Sequence, residues 1–181
     1  MNWLRQEPGT FVGESSAPGV SKEWGTMRKR LVILASTTVQ REPFLDLDAA
    51  ATVEVTSEEK DYPIESALMS GGSKGWRASD PGAQAIRLIF DQPQRLKCIS
   101  LSFEENESKR TQEFVLRWSP ARAGSFREIV RQQWNFSPPH TTTEVEEYRV
   151  ELSAVILLEL IITPDIGGGM ARASLHSLRV S

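Results

Sequence analysis

Cysteine is almost missing from this chain: Cys98 is the only one in 181 residues, so no intrachain disulfide can form. Unpaired thiols persist where the surroundings are reducing, and the expected location is therefore cytoplasmic. Histidine is nearly as scarce. His140 and His176 stand far apart, with no cysteine or carboxylate at ligand spacing, which argues against a zinc site. A basic excess is also lacking, since 21 Lys and Arg face 24 Asp and Glu for a net charge of −3. Proteins drawn electrostatically to nucleic acid usually carry the opposite balance, so a nucleic-acid partner is not expected. No apolar run is long enough to cross a bilayer; the longest, Val155 to Ile162, is interrupted by Glu159.

Catalytic signatures are missing too. No Gly-x-Ser-x-Gly elbow occurs. The glycine run Gly167 to Gly169 leads into Met170 and Ala171 rather than the Lys-Ser/Thr pair of a phosphate loop, and reads as a sharp turn. Neither an enzyme nor a bound cofactor is expected.

The first 26 residues hold Pro8, Gly9, Gly13, Pro18, Gly19 and Gly25 without sustained periodicity. Residues 1–30 are read as a loose arm, which Trp3, Phe11 and Trp24 could dock on the domain, and residues 31–181 as the domain itself. Met27-Arg28-Lys29-Arg30 before Leu31 to Ser36 imitates a secretory signal, but the apolar run is too short and lacks a clear cleavage site. A first strand, or Met27 as the initiator, is the expectation.

From there apolar residues come in short runs with period two, separated by turn formers, which is how strands read. Val53 and Val55 share a face, as do Ile86, Leu88 and Phe90, then Ile99, Leu101 and Phe103, then Phe114, Leu116 and Trp118. Asp91-Gln92-Pro93 and Ser119 to Gly124 read as turns, and Glu104 to Thr111 as a solvated loop. Arg41 to Asp48 could hold a turn or one helical turn. Phe126 to Trp134 and Tyr148 to Leu152 continue the pattern, and Val155 to Thr163, apolar on both faces, suits a central strand. About eight strands and almost no helical period give an all-β fold, an antiparallel β-sandwich of jelly-roll type.

The stretch Tyr62-Pro63 to Ala67, the small-residue turn before Trp76, the hairpin Phe114 to Phe126 and the closing Ala171 to Val180 resemble, in order and spacing, the discoidin-like (factor V/VIII C-type, galactose-binding-like) family. The resemblance implies an eight-stranded jelly roll whose end loops bind glycans, phospholipid head groups or proteins, some members holding a structural calcium. Two departures argue against calcium here. Ser70 to Ser73 lack the family's carboxylate before the tryptophan, and His176 stands where a glutamate is often found. No metal is expected.

The expected function is a non-catalytic module that binds a protein or small polar ligand through loops at one end, the alternative being a carbohydrate-binding module. Trp76 and Trp118 suit the core. Trp134 instead runs into Asn135-Phe136-Ser137-Pro138-Pro139, and a ligand site is expected from Trp134, Asn135, Phe136 and His140 with Arg77 and Arg110 nearby. A loop anchored by its own aromatics is the competing reading. Contributions from Ser73 to Arg77 or Glu104 to Arg110 are also anticipated.

Overall fold

The structure is a computed structural model that describes residues 43–181, except 70, 72 and 73. The arm, the strand expected at 31 to 37 and most of the turn before Trp76 lie outside the described residues.

The described chain runs α1 (Leu47–Ala50), β1 (Ala51–Val55), α2 (Glu65–Leu68), β2 (Trp76–Pro81), β3 (Gln84–Glu104), β4 (Arg110–Ser119), β5 (Arg127–Phe136), β6 (Thr143–Thr163), β7 (Arg172–Leu175) and β8 (Ser177–Val180). All strand pairings among them are antiparallel. One helical turn does form, as α1, but it begins at Leu47 and runs past the Arg41 to Asp48 stretch to Ala50.

Two strands are 21 residues long, and their bend makes the sandwich. Residues 84–90 of β3 pair with β1 on one side and with the second half of β6 on the other, where β4 and then β5 continue the layer. Residues 96–104 of β3 pair with the first half of β6 and with β8. One ribbon thus supplies the middle of a five-stranded layer and of a three-stranded layer.

Asp91-Gln92-Pro93 does not reverse the chain as the sequence suggested. The β3–β6 register slips between Ile89 and Cys98 while both strands continue, and Ala154 on β6 takes φ 60°. Proline cannot donate to the ladder and is tolerated at such irregularities, so the segment bends the ribbon instead of closing a hairpin.

The layers meet through the alternating residues read from the sequence. Ile86, Leu88, Phe90, Ile99, Leu101, Phe103, Phe114, Leu116, Leu158, Leu160 and Ile162 are all buried. Phe103 of the thin layer stacks on Phe114 of the thick one with centroids 5.1 Å apart, and Phe114 meets Tyr148 edge-on at 6.5 Å. Cys98 is half-buried, less enclosed than a core thiol. No helix among the described residues is long and apolar enough to cross a membrane.

Candidate functional site

At the end of the sandwich where β3 finishes and β4 begins, a cavity of about 500 Å³ opens. Two separated elements shape it. One wall is the small β2–β7 sheet, in which Trp76 faces Leu175 and Arg77 faces Ser174. The other is the loop Glu104 to Arg110, which crosses from the three-stranded layer to the five-stranded one, with Tyr62, Lys74, Met170, Arg172 and His176 completing the rim.

Gly75 sets the distance between the strands of the small sheet. Its φ is +67°, and a Cβ there would sit 2.5 Å from the Leu175 carbonyl oxygen and 2.8 Å from the His176 Cα. Only glycine takes this left-handed conformation without cost and also leaves the gap. Trp76, next in the chain, is 1% exposed and plugs the cavity floor into the core.

The loop is built around a buried ion pair. Arg110 Nη2 lies 2.8 Å from Glu105 Oε2, and both residues are only 8% exposed. The other Glu105 oxygen accepts the backbone N–H groups of Glu107 and Ser108 at 2.7 and 3.0 Å, while Arg110 Nη1 donates to the Arg172 carbonyl at 3.0 Å. Burial pulls the Arg110 guanidinium below its usual pKa, and the Glu105 charge opposes that pull. Such a pair costs desolvation but fixes geometry, and here it ties the loop to β7. The solvated loop expected at Glu104 to Thr111 is therefore half correct: residues 106–109 are exposed, whereas Glu105 and Arg110 are part of the packed end.

Around this pair the rim is polar. Arg77 lies over the Tyr62 ring at 4.6 Å from its centroid and 3.8 Å from Glu107 Oε1. Arg172 pairs with Glu59, and His176 Nδ1 is 3.4 Å from Glu104 Oε2. Two buried donors in the lining, Trp76 Nε1 and Arg110 Nε, have no hydrogen-bond partner among the described residues. Among those residues no cluster of three His, Cys, Asp or Glu side chains could hold a metal. The one carboxylate beside His176 falls short of the about six to eight oxygens calcium takes, so this pair does not fit that ion.

The six residues singled out from the sequence separate into two groups. Arg77 and Arg110 line the cavity; Trp134, Asn135, Phe136 and His140 do not. Phe136 corrects the expectation of a ligand-facing ring. It sits opposite Arg110 in the β4–β5 ladder, and an inward-pointing position there makes it 1% exposed, a core side chain. Trp134 is half-buried against the core, its indole N–H also without a partner among the described residues. Asn135 is exposed and its Oδ1 accepts a 2.6 Å hydrogen bond from Thr111 Oγ1; His140 is exposed in the turn closed by the Ser137–Thr141 bridge. The competing reading of a loop anchored by its own aromatics describes this segment better.

Sequence reasoning missed Arg172 and His176 as cavity residues. Lys74 and Glu105 fall within Ser73 to Arg77 and Glu104 to Arg110, the stretches it named as secondary contributors. The approach of β7 to β2 depends on a short two-stranded pairing with an irregular register, which no periodicity encodes.

No protein-family model matches the chain, and no curated protein matches its sequence. Solved structures do. A family 32 carbohydrate-binding module from Clostridium perfringens NanJ, in complex with galactose, is 18% identical with a TM-score of 0.52, covering 76% of this chain and 96% of that one. A second such module from Clostridium perfringens, in complex with GalNAc-β-1,3-galactose, is 16% identical with a TM-score of 0.52, covering 76% and 99%. A Ruminococcus gnavus GH29 fucosidase is 13% identical with a TM-score of 0.54; the match covers 72% of this chain but only 24% of the enzyme. Of these three, the two covered almost whole are binding modules, and the third match is to part of an enzyme. At these identities the likeness is one of fold alone, the antiparallel jelly-roll β-sandwich.

Proposed function

We propose that this chain is a non-catalytic carbohydrate-binding module whose ligand enters the cavity between the β2–β7 sheet and the Glu104 to Arg110 loop. The observation that carries the reading is the convergence of Arg77, Asn106, Ser108, Arg172 and His176 on one opening of about 500 Å³. Guanidinium, amide, hydroxyl and imidazole groups together suit the hydroxyl-rich edge of a sugar, and the volume falls in the range of small-molecule sites. The solved structures of this fold that hold saccharides favour a glycan over the protein or small polar ligand that the sequence placed first. A cytoplasmic location rests on Cys98 alone and is part of the proposal.

The test is a glycan array on the full chain, followed by titration of any hit. The double variant Arg77→Ala/His176→Ala is expected to lose binding, while Asn135→Ala/His140→Ala retains it. The opposite pattern would move the site to the β5–β6 turn. An array without any hit would return the protein-partner reading to first place.

A further inference from the structure

The balance of satisfied and unsatisfied groups on the cavity wall says more about the ligand than its shape does. Two of the three carboxylates there are engaged by the chain itself. Glu105 spends both oxygens on Arg110 and on two backbone N–H groups. Glu104 accepts from Asn106 Nδ2 at 2.6 Å through one oxygen and faces His176 through the other. Only Glu107 stands off, 79% exposed and 3.8 Å from Arg77.

Cations are less well served. Lys74 has no ion-pair partner among the described residues, and Arg77, 36% exposed, has the distant Glu107 as its only one there. The unpartnered buried atoms in the lining, Trp76 Nε1 and Arg110 Nε, are both donors. What this cavity lacks is an acceptor bearing negative charge. A planar guanidinium already oriented by an aromatic ring takes a carboxylate bidentately, with a geometric match an ammonium cannot give.

Resting on the glycan reading above, we propose that the preferred ligand is an acidic saccharide, a uronic acid residue whose carboxylate meets Arg77 with Lys74 beside it. Glu107 occupies that position in the free protein as an internal stand-in. Its long contact and high exposure let it swing into solvent when the ligand arrives.

The experiment compares matched sugars on the intact chain by calorimetric titration: galactose, galacturonic acid and the methyl ester of galacturonic acid, with glucose and glucuronic acid as a second pair. In at least one pair the free uronate is expected to bind about tenfold or more tighter than the neutral sugar, as a charge-assisted bidentate contact allows. The ester should behave like the neutral sugar, and added salt should shrink the difference. Arg77→Gln, checked for an unchanged melting temperature, should bring the ratio close to one, and Glu107→Gln should raise uronate affinity. Equal or better binding of neutral sugar and ester overturns the carboxylate assignment and leaves the glycan reading standing. A 6-sulfated galactose that outcompetes the uronate overturns it as well, in favour of a tetrahedral anion. Binding of no saccharide of either kind removes both readings together.

Discussion

At the scale of single residues, burial decides roles that residue type leaves open. Phe136 looked like a ligand contact because it neighbours a proline pair, yet it is enclosed by the core. Phe136→Ala is expected to cost about 3–5 kcal/mol in a urea titration, the range for removing a buried aromatic. Asn135→Ala and His140→Ala should each stay within about 0.5 kcal/mol, as exposed changes do. Glu144 is the other residue whose surroundings override its type. It is 2% exposed, flanked by Glu146, and Gln132 Nε2 donates to both carboxylates at 3.2 and 2.6 Å. Burial first, and the Glu146 charge second, push its pKa up to about 7. The same surroundings push Tyr148, whose hydroxyl donates to Gln132, well above the usual tyrosine value.

A carboxyl group with its folded pKa above its unfolded one binds its proton more tightly in the native state. Its contribution is complete below the unfolded value, near 4.5, and is lost as pH rises through about 7. The melting temperature is therefore expected to fall by a few degrees, about 2–4 °C or more, between about pH 5 and about pH 8. Glu144→Gln should flatten that slope, and an unchanged slope would show that Glu144 does not titrate in this range.

At the scale of elements, neighbouring strands impose constraints that no single strand reveals. Glu54, Arg87, Glu159, Arg117 and Glu128 occupy one register row across β1, β3, β6, β4 and β5, alternating in charge. Glu159, at the centre, is 1% exposed and pairs with both arginines, Arg87 Nε at 2.7 Å. Its carboxylate raises the Arg87 pKa further above the usual arginine value. The two arginines are a third to half exposed and can rehydrate, whereas the glutamate cannot. Glu159→Ala is thus expected to cost about 1–2 kcal/mol, and Arg87→Met/Arg117→Met, which strands a buried charge, about 3–5 kcal/mol. Denaturant titrations that reverse this order would refute the ladder's asymmetry. Gly75 sets the second constraint. Gly75→Ala combines a strained φ with a backbone clash at Leu175 and should lose about 2 kcal/mol or more, weakening the proposed glycan binding as β2 and β7 separate.

At the scale of the whole molecule, one continuous core joins the two layers across the bent β3–β6 ribbon. Every strand from β1 to β8 is paired within residues 51–180, and Leu45 donates its N–H to the Val180 carbonyl at 2.8 Å, closing the start of the described chain onto its end. Removing residues 1–26 is therefore expected to change stability by less than about 1–2 kcal/mol, as loss of a surface contact would. A truncated protein that is insoluble or unfolded would show that those residues complete the core.

The alternation of apolar residues by itself determined that the chain is built of strands with one buried face, because successive side chains of a strand point to opposite faces, and the turn formers between the runs pointed to an antiparallel sandwich. It also separated Trp76 and Trp118, both core, from the charged loop between β3 and β4. Strand continuity lay beyond it, since a proline-containing segment reads as a turn whether the chain reverses or merely bends, and only pairing with β6 distinguishes the two. The cavity was likewise a tertiary outcome. Arg77 and Arg110 lie 33 positions apart, and Arg172 and His176 some 60 further on. They converge because Gly75 lets β7 approach β2 and because Glu105 and Arg110 neutralise each other inside the packed end, conditions set by distance in space rather than by order along the chain.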